Sequence, residues 1–364
     1  MVESTHKIEQ VAAEIGKILK GGEFIETPFD QPFEEESHGD PDQRDDDANF
    51  FDSNFAKNIE AVDKKDIRNI VFDEKIRFFL DGSLRTKFLG EYVDRDQSFP
   101  ILAAEVACAV MKKSEKKLDP ASVNWRLVFI FPHKGTGLLA DTQYSKLKNL
   151  SEGLERSKSP FRIEFLEKSD ARDVRYSMQG KARDVMHNLE HETANSLTRN
   201  EGDWLIMDGA IRKAEFLTLN NTIGVAKSFS RKPHFQIGTT TLNITRYLSG
   251  IKEGERSAIF KKDSAPEVAF WYLRIRTFPP MEPLGGFVKI DFKFEDTSLS
   301  ENDVNIIDQL SSEIYSMRSP SVYPYPRWPS FLYPIRVAEE TMQSTFLNEE
   351  MLGLYGHMLK EAIF

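Results

Sequence analysis

Trp125–Phe131 (WRLVFIF), Phe161–Leu166 (FRIEFL) and Trp204–Met207 (WLIM) are three short apolar runs rich in β-branched and aromatic residues. Each is too short for a core helix and fits a buried strand. Between them lie two stretches of helical periodicity, Gln143–Leu154 and a longer one from about Ala171 to Leu197. Strands alternating with helices predict an α/β layer fold in which the helices cover the faces of a sheet.

The pattern extends in both directions. Upstream, IRFFLDGS (Ile76–Ser83) is an apolar β-type run expected to end on an acid and a turn. Phe88–Val93 and Ile101–Val110 then give further strands of a meander, although the second also fits a helix. Nearer the start, Ile8, Val11, Ala12, Ile15, Ile18 and Leu19 recur at helical spacing, and Gly21-Gly22 stops that helix. A polar helix is expected around Phe55–Lys65. Downstream, Thr222–Ala226, Trp271–Arg276 and Phe287–Phe292 are strand candidates. A helix near Asn302–Met317, the Pro-rich turn SPSVYPYPRWPSFLYP and a last helix over Ile335–Asn348 complete the chain. There is no internal repeat, and no linker divides residues 70–364. The expected organisation is therefore residues 1–70 as an N-terminal helical and acidic extension, and 71–364 as one α/β domain with a mixed sheet flanked by helices.

Composition bounds the function. In 364 residues, 58 Asp and Glu against 48 Lys and Arg give a net charge of −10, which at first argues against a phosphate-binding surface. The distribution weakens that objection. Eight acids and a single base, Arg44, lie between Glu34 and Asp47, so this run holds seven of the ten excess charges. It fits a solvated loop, an acidic flap or a docking element. The single cysteine, Cys108, excludes a disulfide framework and lies in an apolar run that suits a small buried side chain. The charged, interrupted N-terminus does not fit a secretory signal, and no stretch of eighteen apolar residues is present to span a bilayer. A soluble, cytoplasmic protein with no membrane association is expected.

Two strands are expected to finish in Asp-Gly, at Asp81 and at Asp208. An acid at the carboxyl end of a buried strand faces the crevice of an α/β sheet, and the glycine lets the chain turn away. Asp-Gly also simply makes turns. The helix RDVMHNLEHETANSL places Glu190 just before the Asp208 strand. Oxygen ligands from two strand ends and a helix suit divalent cations of the kind that activate water against a phosphodiester. Glu192 is close by; Glu190 is preferred because it borders the face formed by Met186, Leu189, Thr193 and Leu197, whereas Glu192 lies further round, toward solvent.

FFLDGSLR, the helix R-x-x-M-x-x-L-E-x-x-x-A leading into WLIMDGAI, then TIGVAKSFS and FLYPIRVAEE resemble, in order and spacing, the landmarks of the NurA nuclease family. They span about Ile76 to Glu340. The resemblance implies an RNase H-like core and a nuclease acting on DNA with Mn²⁺ or Mg²⁺, as a homodimer beside a hexameric HerA-type ATPase translocase. DNA end processing or defence against foreign DNA would both use that chemistry. It also implies metal-binding, catalytic roles for Asp81, Glu190 and Asp208. Lys227 would lie near the scissile phosphate as a point charge, and Tyr333 would position substrate. The family often has a His about eight residues after that Tyr. Here the position is Thr341, with Glu339 and Glu340 as alternative fourth oxygen ligands. Arg85, Arg212, Lys213, Arg231 and Lys232 follow the site segments and are candidates for a phosphate path.

Rival readings exist. His187-Asn-Leu-Glu190-His191 spells H-x-x-E-H, the pattern in which two His hold zinc and the Glu is a general base, although no third ligand is evident. A pair of surface histidines is the plainer account. Gly135-x-Gly137-x-x-Ala140 follows a strand and precedes a helix, the outline of a dinucleotide fingerprint or of a turn. Without the family's His, a catalytically silent adaptor of the translocase is a further alternative.

Overall fold

The computed structural model describes residues 2–26, 34–35, 55–59, 64–94, 97–115, 117–132, 139–166, 174–211, 214–229, 234–237, 240–262, 265–277, 284–294, 299–320, 328–347 and 349–363. The strands in chain order are β1 (Glu23–Glu26), β2 (Glu34–Glu35), β3 (Phe55–Asn58), β4 (Lys64–Asp66), β5 (Ile76–Asp94), β6 (Gln97–Ser114), β7 (Lys117–Pro132) and β8 (Phe161–Leu166). They continue with β9 (Trp204–Asp208), β10 (Thr222–Ala226), β11 (His234–Ile237), β12 (Thr240–Asn243), β13 (Glu255–Ser257), β14 (Phe260–Lys262), β15 (Ala265–Arg274) and β16 (Phe287–Lys293). The helices are α1 (Val2–Leu19), α2 (Asp141–Arg156), α3 (Val174–Ser196), α4 (Ile244–Ser249), α5 (Glu301–Ser316), α6 (Tyr333–Gln343) and α7 (Glu349–Ile363). No described helix is long and apolar enough to cross a membrane.

All sixteen strands belong to one mixed sheet, with the main path β12-β11-β3-β14-β15-β16-β10-β9-β5-β6-β7-β8. Its centre is an antiparallel meander, β5-β6-β7, extended by β9 parallel to β5 and β10 parallel to β9. β8 adds parallel to β7 after the crossover through α2, so the Trp125–Leu166 stretch is a βαβ unit, as its alternation predicts. Gly135 and Gly137 lie outside the described residues.

Successive residues of β5 point to opposite faces. Phe78 and Leu80 pack with Val106, Cys108, Leu205 and Met207 under Met178, Ala182, Val185 and Leu189 of α3. Phe79 faces the other way, with Ala107, Ala109, Ile206, Val225 and Ile290 beneath Ile335, Ala338 and Met342 of α6. Cys108 is fully buried, the small core side chain its context predicts. At the far end of β5–β7, α1 and α7 pack together over Phe24, Tyr92, Phe99 and Phe129. Gly16 sits so close to Ala362 that an added Cβ would overlap it at 2.3 Å.

Several expectations are corrected. β5 does not end at Asp81-Gly82 but runs unbroken to Asp94, with Phe88–Val93 part of the same strand. Asp81 and Gly82 pair with Ala109 and Cys108 of β6, so ladder hydrogen bonds override the local turn preference of Asp-Gly. The stretch Ile101–Val110, open between helix and strand, lies within β6. The helix expected around Phe55–Lys65 is replaced by β3 and β4: β3 pairs with β11 and β14, and β4 with β13. Lys65 is held by the buried Asp308 on α5 at 2.5 Å, and Asp308 also accepts from the fully buried Arg256 at 2.6 Å. A polar sequence thus becomes a strand through partners remote in the chain. The expected helix Ile335–Asn348 is α6, which stops at Gln343, and α7 follows as a separate helix. Of the acidic run, Glu34 and Glu35 form β2 against Thr86 and Arg85; residues 36–47 lie outside the described ones.

One buried carboxylate ties the end of the chain to the sheet. Glu105, fully buried on β6, accepts from Trp125 Nε1 at 2.7 Å and from the Leu347 backbone N–H at 2.8 Å. Its Oε2 has no hydrogen-bond partner among the described residues. Burial raises its pKa to about 7, outweighing the Leu347 and Trp125 hydrogen bonds and the nearby Arg85 charge. The folded state therefore keeps a proton that the unfolded chain releases above pH 4.5. Stability is fully present below that pH, falls between about 4.5 and 7, and is level above, for a loss on the order of 3 kcal/mol. Thermal melts of wild type and Glu105→Gln across this range check it: the variant flattens this part of the pH dependence.

Candidate carboxylate site

Three of the expected site residues lie on adjacent central strands, Asp81 within β5, Asp208 at the end of β9 and Lys227 just after β10, and the alternation of those strands puts them on one face. Asp81 is two residues beyond Phe79 on β5, Asp208 two beyond Ile206 on β9, and Lys227 two beyond Val225 of β10. Phe79, Ile206 and Val225 all belong to the core under α6, so the polar groups continue that face. β9 stops at Asp208 because Gly209 adopts φ +95° and its N–H is bonded to Val225 O at 3.0 Å. Asp208 Oδ2 lies 2.9 Å from Lys227 Nζ, which stands over the Phe331 ring at 5.0 Å.

α6 supplies a fourth polar group from above. Glu339 is buried, and its charge acts on both Asp81 and Lys227. Glu340 is more than half exposed and bound to Arg336 at 2.9 Å. Of the two alternatives for this position, Glu339 is the buried one whose charge acts on Asp81, and its Oε2 also lies 3.5 Å from Arg336. Thr341 hydrogen-bonds its own helix at Val337 O and contacts Met111 Sδ at 3.8 Å.

Glu190 arrives from the opposite face. It is buried on α3, which packs against β5 and β6. It lies against Gly82 on the α3 face: a Cβ built there would lie 2.3 Å from Glu190 Oε1 and 2.8 Å from its Cδ. The missing side chain, rather than a turn, is what the site needs from this glycine. Glu192 is half exposed and engaged with Arg126 at 2.5 Å, whereas Glu190 is buried and its charge acts on Asp81. Gly82→Ala should keep the strand and its melting temperature nearly intact yet lower any activity of the site about a hundred-fold, because it displaces Glu190. Paired melting and cleavage measurements on that variant check this.

Electrostatically the site is frustrated. Burial pushes the Asp81 carboxyl well above the usual carboxylate range; Asp208 adds to this, Lys227 opposes it, and Glu339 and Glu190 add further. Burial works to lower the Lys227 ammonium, but Asp208, Asp81 and Glu339 outweigh it and raise the pKa. Four carboxyl groups, with Lys227 beside Asp208 and Arg336 3.5 Å from Glu339, make a donor set of hard oxygens whose chemistry suits Mg²⁺ or Mn²⁺. As they stand, no three His, Cys, Asp or Glu side chains among the described residues converge on one cation position. Asp208 is drawn to Lys227, and Glu190 Oε2 to His187 Nδ1 at 2.8 Å.

The remaining predicted residues are dispersed. Tyr333, first residue of α6, is 45% exposed while its backbone N–H is bonded to Met317 O. Arg85 shares the Asp81 face of β5, and its guanidinium covers the Phe346 ring at 4.6 Å. Arg212, Lys213, Arg231 and Lys232 lie outside the described residues. His187 and His191 have different neighbours: the first bonds Glu190 at 2.8 Å, and the second packs edge-on against Phe216 at 5.5 Å. Sequence reasoning missed Asp291. It is buried on β16, accepts from the Ile211 N–H at 3.1 Å and binds Lys289 at 2.6 Å. It thereby holds the segment after Asp208 against Gly224, where a Cβ would overlap Gly209 O at 2.7 Å.

No family model matches the sequence, and no curated protein matches it. Among solved structures, the fold is similar to the crystal structure of the NurA nuclease from Sulfolobus solfataricus. That likeness has a TM-score of 0.40 and 14% sequence identity, and covers 80% of this chain and 87% of that one.

Proposed function

We propose that this protein is a divalent-metal-dependent nuclease that hydrolyses phosphodiester bonds in DNA. The observation that supports the reading is electrostatic: the charges of Asp208, Glu339 and Glu190, from three other elements, all act on the buried Asp81, beside the ammonium of Lys227. Burying so many like charges is costly for a fold and favours a cationic ligand. The central order β7-β6-β5-β9-β10, with acids on β5 and at the end of β9, supports an RNase H-like core.

Asp81, Glu190, Asp208 and Glu339 would hold Mn²⁺ or Mg²⁺. Bound there, the cation would act as a Lewis acid toward water and toward the phosphate oxygens. Lys227, fixed by Asp208 and the Phe331 ring, offsets charge on the phosphate. Tyr333, exposed at the start of α6, and Arg85, on the Asp81 face, orient the strand alongside; Arg212 follows the Asp208 segment and is assigned the same role. The acidic chain favours delivery of DNA by a partner, and a HerA-type hexameric ATPase working with a homodimer of this chain suits that need. End processing and defence against foreign DNA are both compatible settings.

Cleavage of linear and circular DNA in Mn²⁺, in Mg²⁺ and in chelator tests the reading. Cation-dependent cleavage is expected, with none in chelator. Absence of cleavage in every condition, including with the translocase added, would favour the silent adaptor instead.

A further inference from the structure

The buried Phe331 ring carries two cations: Lys227 Nζ lies 5.0 Å from its centroid and the Arg336 guanidinium carbon 5.9 Å. Both are within reach of a cation–π contact, and both side chains keep part of their surface in solvent. Arg336 is also fixed by its own helix, with Nε 2.9 Å from Glu340 Oε1 and Nη1 3.5 Å from Glu339 Oε2. A guanidinium presents five N–H donors in a planar fork, so these contacts aim it without using it up. The backbone sets the ring in place. The Ser319 N–H donates to Phe331 O at 2.9 Å, and the Tyr333 N–H to Met317 O at 2.8 Å. Leu332 between them is extended, so Phe331 and Tyr333 project to the same side. Tyr333 and Arg336 are three apart on α6 and share a face, and the tyrosine is nearly half exposed.

We propose that Arg336 and Tyr333 form a strand-holding site beside Lys227, a role that rests on the nuclease reading above. Arg336 takes the backbone phosphate next to the one at Lys227, and Tyr333 stacks on the attached base. The ligand is therefore an unpaired nucleic-acid strand. The planar fork of an arginine matches the oxygens of a phosphate, and its charge is permanent. An exposed aromatic ring beside a cation is the arrangement that holds single strands without reading their sequence, because every base offers a face for stacking. In a duplex those faces are covered by neighbouring bases. The site uses no metal, and it accounts for an arginine set between two glutamates: Glu339 and Glu340 hold the guanidinium until a phosphate shares it.

Binding of a fluorescein-labelled single-stranded oligonucleotide and of the matching blunt duplex to the full-length protein in chelator, read by anisotropy over a range of salt, tests this apart from cleavage. Wild type, Arg336→Gln, Tyr333→Ala and Tyr333→Phe are compared, with a melting curve for each. Wild type is expected to bind the single strand more tightly than the duplex. Arg336→Gln should weaken single-strand binding about five-fold near 0.1 M salt and make the salt slope shallower by about 0.7, the loss of one phosphate contact. Tyr333→Ala should weaken it about ten-fold with the slope unchanged, and Tyr333→Phe should stay within about three-fold of wild type. Tyr333 is exposed, so its variants keep the test standing even where Arg336→Gln does not fold. Wild-type single-strand affinity in Arg336→Gln or Tyr333→Ala, an unchanged slope in a folded Arg336→Gln, or tighter binding of the duplex by wild type would overturn the strand site and leave the nuclease reading intact. Binding of neither DNA by wild type at the lowest salt would overturn the strand site and the DNA reading together.

Discussion

If the proposed activity holds, Asp81→Asn is expected to lower DNA cleavage about a thousand-fold or more and to raise the melting temperature in chelator. Both effects have one origin. Asp81 is buried beside Asp208, Glu339 and Glu190, and burial with that company drives its carboxyl toward the neutral form. Asparagine has the same shape and no charge, so it removes the penalty that the folded state bears while deleting an oxygen that a cation requires. A residue kept for packing behaves in the opposite way, losing stability when replaced. Thermal melts in chelator and cleavage in Mn²⁺, on one preparation, read both quantities.

Lys227→Met has the reverse signature: cleavage is lost and stability falls by about 3–5 kcal/mol in chelator. Methionine retains an apolar stem over the Phe331 ring, so the loss reports mainly on charge. Asp208, 2.9 Å from the ammonium and about three-quarters covered, is left without that partner, and Asp81 and Glu339 lose the cation that moderates their repulsion. Adding Asp208→Asn to Lys227→Met should recover much of the stability and none of the activity. Urea unfolding of the two single variants and the double variant measures the coupling.

The parts of this site visible in the sequence were those fixed by local pattern. WLIMDG reads as a buried strand, an acid and a turning glycine, and each proves so, because Gly209 has the positive φ that turn requires. IRFFLDGS has the same grammar and a different outcome. There the strand continues, since β6 pairs along its whole length, and Gly82 serves Glu190 instead of a turn. Nothing within eight residues of Gly82 could have revealed that, because Glu190 is more than a hundred positions away. The preference for Glu190 over Glu192 was legible from helix periodicity and agrees with their burial. The preference for Glu339 over Glu340 was not, because adjacent residues differ only in which side of α6 meets the sheet. β3 and β4 were illegible for a similar reason: polar segments become strands through β14, β13 and Asp308, all remote in the chain.

The most direct test of the proposed four-carboxylate nuclease centre sets the cluster acids against more exposed neighbours. Mn²⁺-dependent cleavage is measured for wild type, Asp81→Asn, Asp208→Asn, Glu190→Gln and Glu339→Gln, with Glu192→Gln and Glu340→Gln as partners for the last two. The account predicts that the substitutions at Asp81, Asp208, Glu190 and Glu339 all eliminate cleavage while Glu192→Gln and Glu340→Gln retain it. Cleavage persisting in Asp81→Asn or Asp208→Asn, or lost equally in the exposed variants, would contradict it.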